Sequence, residues 1–295
     1  MRTGWIVNLL LLIGVAGLAA YAIYGRKGED LAQYPIAALA GAEVTRIAIE
    51  PRTGARILLE KQGQDWFLAE PLRARADRIQ VERLLDLLSA RSKEKLAATE
   101  LQRFDLDKPV MKVTFNDQAI AFGMTNPLTQ DQYALSGDGV YLLSAYYSAM
   151  VPQNPARVLT HALFRPDEKP SAFVLKGLRI EQRDGNWQLT PAPRDPQAKP
   201  SQDELNHWVD DWRLASSLLT QPASGKVPVE SIDVRLADGR TLTLGVLQRE
   251  PELVLVRPDE KLAFYFSSEM ARRLLAAPET APAPVRGAAS GVAPQ

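Results

Sequence analysis

Apolar and polar positions along this chain fall into one order that occurs twice. The first passage opens on a strand-like run over 56–61. It turns at Gln62-Gly63-Gln64-Asp65 and continues through Trp66-Phe67-Leu68, and Pro71 ends the hairpin. Asp77 then opens an amphipathic helix that runs through Leu88. The second passage has a run over 178–183, a turn at Asp184-Gly185-Asn186, then Trp187-Gln188-Leu189 and Pro191, with Ser201 opening its helix. Val81, Leu84, Leu85 and Leu88 match Leu205, Trp208, Val209 and Trp212, each pair offset by 124 residues. That i, i+3, i+4, i+7 spacing marks one face of a helix. Ser201 with Glu204 forms a capping box, and Asp77 with Gln80 imitates it.

The match continues downstream. Residues 109–115 resemble 231–236, 119–123 resemble 241–245, and 140–144 resemble 263–267. The spacing from Trp66 to Gly123 equals that from Trp187 to Gly245 within one residue. A gene duplication accounts for agreement at so many points, and each copy is long enough to be a small domain. Residues 44–50 alternate as a first strand, and Ser136-Gly137-Asp138-Gly139 is a hairpin turn. The stretch 93–104 is charged and reads as exposed and partly helical. Each copy therefore reads as about β-β-α-β-β-β-β-α, an α+β domain with a mainly antiparallel sheet.

Residues 5–24 contain no charge, and at about 1.5 Å rise each they span roughly the 30 Å hydrocarbon core. Trp5 at one end and Tyr21 and Tyr24 at the other suit an aromatic belt. Two readings fit: an uncleaved transmembrane helix, favoured by its length, and a cleaved signal peptide, because Ala20-Tyr21-Ala22 resembles a small-x-small site. The expected organisation is an N-terminal transmembrane helix followed by two tandem α+β repeats. Its segments are an anchor over 1–27, a linker over 28–42, a first repeat over 43–165, a second over 166–277 and a disordered tail over 278–295. The short N-terminal flank predicts a single-pass protein of the bacterial inner membrane with its C-terminal part periplasmic.

Composition narrows the function classes. Of 295 residues, 35 are basic and 35 acidic, which argues against a nucleic-acid partner. With no cysteine there are no disulfides, thiolate metal sites or lipoprotein anchor. His161 and His207 are the only histidines, while triads and histidine metal sites need a placed imidazole. His207 falls off the apolar helix stripe and reads as a surface residue; His161 reads as packing. Asp210 and Asp211 are adjacent and point in different directions. No phosphate-loop, dinucleotide, zincin or nucleophile-elbow motif occurs. No catalytic residue, cofactor or metal site is predicted. Trp208 and Trp212 are the candidate contact residues. They read either as enlarged core residues or as an aromatic platform for a ligand or partner chain.

The 5–24 stretch, the hairpin ending at Trp66 and Pro71, the leucine-rich helix and Phe104-Asp105-Leu106-Asp107-Lys108-Pro109 together resemble one bacterial family, domain of unknown function 4340. The resemblance covers about residues 1–275. That family usually carries a glycine where Asp105 stands, and the second copy lacks the motif. Its members are membrane-anchored repeat proteins often encoded beside ABC-type export or gliding-motility components. The resemblance implies a non-enzymatic periplasmic accessory or scaffold, with ABC-type transporter or envelope-complex subunits as partners. A glycan- or peptide-binding module is the alternative, and a carboxylate-based hydrolase a further one.

Overall fold

The computed structural model describes residues 33–278 except 196–197, together with the isolated positions 12, 14 and 15. The chain divides into two units. One comprises Met1–Gly63 and Ile79–Gln153, the other Gln64–Arg78 and Asn154–Gln295. These units cut the chain differently from the two sequence copies, because Gln64–Arg78 belongs to the first copy and to the second unit.

In the first unit the strands are β1 (Tyr34–Pro35), β2 (Arg46–Pro51), β3 (Ile57–Gln62), β6 (Arg91–Ser92), β7 (Lys95–Ala97), β8 (Met111–Phe115), β9 (Gln118–Thr125), β10 (Asp131–Ser136) and β11 (Gly139–Ser144). β1 and β6 form a small pair, and the others lie in the order β3-β2-β8-β9-β10-β11-β7, seven of the nine strands of their sheet. The alternation of β8, with Met111, Val113 and Phe115 buried, shows one face turned to the core. Ile47, Ile49, Ile57 and Leu59 complete that core. The helix Arg78–Leu85 buries Val81 and Leu84 and passes into a 3-10 turn, Asp86–Ser89, which buries Leu87 and Leu88.

The second unit holds β4 (Asp65–Glu70), β5 (Ala74–Arg75), β12 (Pro170–Leu175), β13 (Leu178–Arg183), β14 (Asn186–Thr190), β15 (Leu219–Pro222), β16 (Glu230–Leu236), β17 (Thr241–Gln248), β18 (Leu253–Arg257) and β19 (Leu262–Phe266). Its main sheet runs β14-β13-β12-β16-β17-β18-β19-β15. Seven strands thus repeat the order of the first unit one for one, each in an antiparallel ladder. The β13–β14 turn has both central residues, Asp184 and Gly185, at positive φ (50° and 82°), as a type I′ hairpin requires.

Two expectations need correcting. The fold is mostly β rather than α+β: strands hold 41% of the described residues and helices 21%. The reason is local. The charged stretch 93–104, expected to be exposed and partly helical, is helical only in the 3-10 turn Leu101–Phe104 and supplies β7 before it; β6 precedes the stretch, and β15 occupies the place of β7 in the second copy. All three residues of β7 are exposed, so no apolar alternation marked it. The transmembrane helix expected over 5–24 is also not found. That stretch lies outside the described residues but for Leu12, Gly14 and Val15. Among the described residues no helix is long and apolar enough to cross a membrane. The tail from 279 lies outside them as well.

The duplicated glycines acquire a physical role. In each unit the chain leaves the edge strand (β7 or β15) and crosses one face of the sheet before entering β8 or β16. In the first unit this strap is 98–110, and a Cβ on Gly123 would collide with the Phe104 carbonyl and lie 3.0 Å from Leu106. In the second unit the strap is 223–229, and a Cβ on Gly245 would collide with the Pro228 ring. Ala223 packs on Val254, Val256 and Ala263 beneath it. Only a residue without a side chain lets the strap lie flat on the strand. Gly123→Ala is expected to cost about 1–3 kcal/mol, and more than Gly245→Ala, because a backbone carbonyl yields less than a proline ring. Gly41→Ala, whose Cβ would meet Leu85 at an ordinary 3.5 Å, serves as the control. Urea unfolding of the three variants checks the order.

Candidate functional site

Ser201 caps the helix Gln202–Arg213: its hydroxyl accepts from the Glu204 N–H while the Glu204 carboxylate accepts from the Ser201 N–H at 2.7 Å. This start orients Leu205, Trp208, Val209 and Trp212 inward. Trp208 and Trp212 are 4% and 0% exposed. The Trp208 indole N–H donates to the Ala276 carbonyl at 2.8 Å and that of Trp212 to the Leu274 carbonyl at 2.9 Å. Phe173 of β12 stands edge-on to Trp208, with ring centroids 5.2 Å apart, and tilted against Trp212 at 5.4 Å. Both indoles are core residues that hold the C-terminal helix Ser268–Leu275, and neither offers a face to a ligand. His207 is exposed. His161 binds the Ser217 carbonyl through Nδ1 at 2.9 Å.

The densest polar constellation is one that the sequence reading did not single out. β18 is buried at every position and ends in Arg257, itself 0% exposed. A guanidinium out of water must have its donors paired. Arg257 Nη1 donates to Glu168 Oε2 at 2.7 Å and Nη2 to Glu168 Oε1 at 2.9 Å, a bidentate pair. Nη2 also donates to Asp259 at 2.7 Å, and Nη1 to the Leu163 carbonyl at 2.8 Å. A second arginine, Arg75 of β5, brings Nε within 2.7 Å of Glu260 Oε1. That contact is an ion pair, and Glu260 Oε2 has no hydrogen-bond partner among the described residues. Arg165 supplies the hydrogen bond to Glu260 Oε1, at 2.9 Å. Three arginines face three carboxylates, so the cluster carries no net charge.

Burial and pairing oppose each other here. Burial alone pushes the Glu168 carboxyl up, but the Arg257 hydrogen bonds, the Arg165 N–H and both guanidinium charges hold it below its ordinary value. Asp259 is likewise pushed up by burial and brought below its usual range by Arg257. Burial lowers Arg257, yet its bonds to Glu168 and Asp259 raise it overall. Arg75 ends below its ordinary value because burial outweighs the attraction of Glu260.

A pocket of about 380 Å³ opens beside this cluster, lined by Glu168, Asp259, Arg240, Thr241, Leu242 and Thr243 among others. Its charged groups are already paired: Glu168 and Asp259 with Arg257, Arg240 with Asp238 at 2.7 Å. Among the described residues no group of three or more His, Cys, Asp or Glu side chains is arranged so that it could hold a metal ion. The arrangement holds chain segments in place.

The family profile described as a domain of unknown function (DUF4340) matches residues 66–221, more than half of the chain. No curated protein and no solved structure gives a significant match. The chain belongs to the DUF4340 family.

The linkage between the cluster and pH has a definite sign. Glu168 and Asp259 have folded pKa values below their unfolded ones, so their contribution is complete above the ordinary carboxylate range, about 4. It is lost as pH falls from there through the depressed folded values. Unfolding free energy should therefore be level from pH 7 to about 5 and drop below that. Glu168→Gln should lower the plateau by about 3 kcal/mol or more and flatten the acid limb. Urea titrations at four pH values test this, and an acid limb as steep as in the unaltered protein would show that Glu168 is not a titrating partner.

Proposed function

We propose that this DUF4340 protein is a non-enzymatic accessory or scaffold of the bacterial cell envelope. On this reading it is held at the inner membrane through the apolar stretch 5–24, with its repeats on the periplasmic side. There it engages an ABC-type transport or envelope complex. The observation that carries the reading is the apolar surface of the second unit. Leu214 and Leu218 are 79% and 68% exposed, and Val227 and Val229 are 87% and 76% exposed. Each pair sits in one short segment flanking β15 or entering β16. Large apolar side chains left in water in such groups favour contact with a partner surface. A second reading, a glycan- or peptide-binding module, rests on the 380 Å³ pocket with its threonine hydroxyls.

Affinity purification of the full chain from membranes in mild detergent, read by mass spectrometry, tests the proposal. Transporter or envelope subunits should be recovered stoichiometrically. The double variant Val227→Asp, Val229→Asp should lose them while unfolding at the same temperature as the parent. A form beginning at Gly28 shows whether capture needs the apolar stretch. Recovery of no partner by either form would sink the scaffold reading, and saturable binding of a soluble glycan or peptide would replace it with the second.

A further inference from the structure

The second unit contains a piece of the first sequence copy. β4 pairs with β5 through Phe67 opposite Arg75 and Leu68 opposite Ala74. β5 then pairs with the stretch after Gln153. Asp77 N donates to the Val158 carbonyl at 2.7 Å, Thr160 N donates to the Arg75 carbonyl at 3.1 Å, and Ala76 stands opposite Leu159. The same stretch continues the ladder on its other side, toward β15. Leu163 N donates to the Ala215 carbonyl at 3.0 Å and Ser217 N to the His161 carbonyl at 2.8 Å. So 159–162 links β5 to the segment before β15 through one isolated antiparallel bridge on each side, Ala76 with Leu159 and Ala162 with Ser216. The ladder alone is short: β5 is two residues long.

What distinguishes β5 is its side chain. Arg75 is 9% exposed. Its guanidinium donates to the carbonyls of Ala162 at 2.9 Å, Leu163 at 3.3 Å and Phe164 at 3.3 Å, and it makes the ion-pair contact with Glu260. Leu163 is also the carbonyl that Arg257 holds. A single residue of the first copy thus reaches the buried ionic cluster of the second. We infer that the β5 segment 74–77 is an integral part of the second unit, pinned there by Arg75, so that the second copy cut at its sequence boundary is not an autonomous domain. This goes beyond the proposed function and does not depend on it.

Hydrogen exchange of the full chain, followed by mass spectrometry, tests the pin. In the unaltered protein the amides of 75–77 and 158–163 should be protected together with β16–β18. Arg75→Met removes the charge and keeps much of the bulk. Loss of one partner from a buried ionic group should speed exchange of 74–77 and 158–163 by about a hundred-fold or more, with β8–β11 unchanged. Unchanged exchange of 74–77 in the variant overturns the inference. So does rapid, peptide-like exchange of 75–77 in the unaltered protein.

A second measurement does not rely on Arg75→Met folding. Ala76 and Leu159 form a non-hydrogen-bonded antiparallel pair, where Cα atoms lie about 4.5 Å apart, within disulfide range. The chain has no cysteine of its own. Ala76→Cys with Leu159→Cys in the otherwise unaltered full chain should close a single disulfide on mild oxidation. In the Arg75→Met background that bond should restore protection to 74–77. Failure of the pair to close, or closure without restored protection, overturns the assignment.

Discussion

Arg257 is the point on which the second unit depends. A fully buried guanidinium is tolerable only when its donors are matched, and here the matching groups come from different places in the chain. Glu168 lies in the turn before β12, Asp259 in the turn between β18 and β19, and the Leu163 carbonyl in the connecting stretch that carries β5. Bringing the charge to rest therefore fixes three loops relative to one strand. The apolar core, with Phe173, Phe264, Phe266 and Trp212, supplies the larger share of burial. It is non-directional, however, and would accept many loop conformations. The ionic cluster selects among them.

The strap over the sheet is the corresponding constraint shared by both units. A strand buried on one face by the core and on the other by a crossing segment needs a position where backbone meets backbone. Gly123 and Gly245 are those positions. The Phe104-Asp105-Leu106-Asp107-Lys108-Pro109 motif is the strap of the first unit as it descends onto β9. Asp105 sits there at φ 58°, the left-handed region. That explains why the family usually has glycine at this place, since an L side chain there is strained. Aspartate is among the residues that tolerate it, and its carboxylate accepts from Arg52 at 2.7 Å. The second unit meets the same need with Pro228 and so has no use for the motif.

How much of this was legible follows from where each signal lies. The helix faces, the paired hairpins, the capping box and the equivalence of Gly123 with Gly245 are local patterns, and each is present where the residues suggest. β7 and β15 were not legible, because an exposed edge strand with a polar or mixed sequence has no period to detect. The cluster was not legible for a different reason. Arg75, Glu168 and Glu260 are far apart in the chain, and each alone looks like an ordinary solvated charge. The one available signal was Leu253-Val254-Leu255-Val256-Arg257: an arginine closing a strand apolar on both faces must find acceptors indoors. Trp208 and Trp212 left two readings open, and burial with both N–H groups satisfied by backbone carbonyls decides for the core.

An apolar replacement of the cluster would be expected to hold the same segments more strongly, because desolvation consumes much of what an ion pair returns. The geometry at Arg75 indicates what would be lost. β5 has two residues and its ladder has few bonds, so backbone pairing alone specifies its register weakly. A slip of one residue turns every side chain of a strand to the opposite face. Here a slip would swing the guanidinium away from the carbonyls of Ala162, Leu163 and Phe164 and leave Glu260 with Arg165 alone among its close hydrogen-bond donors. A leucine in place of Arg75 would pack nearly as well in either register. The buried charge penalises the wrong one, and that penalty, rather than net stabilisation, is the physical reason for placing an arginine at the end of so short a strand.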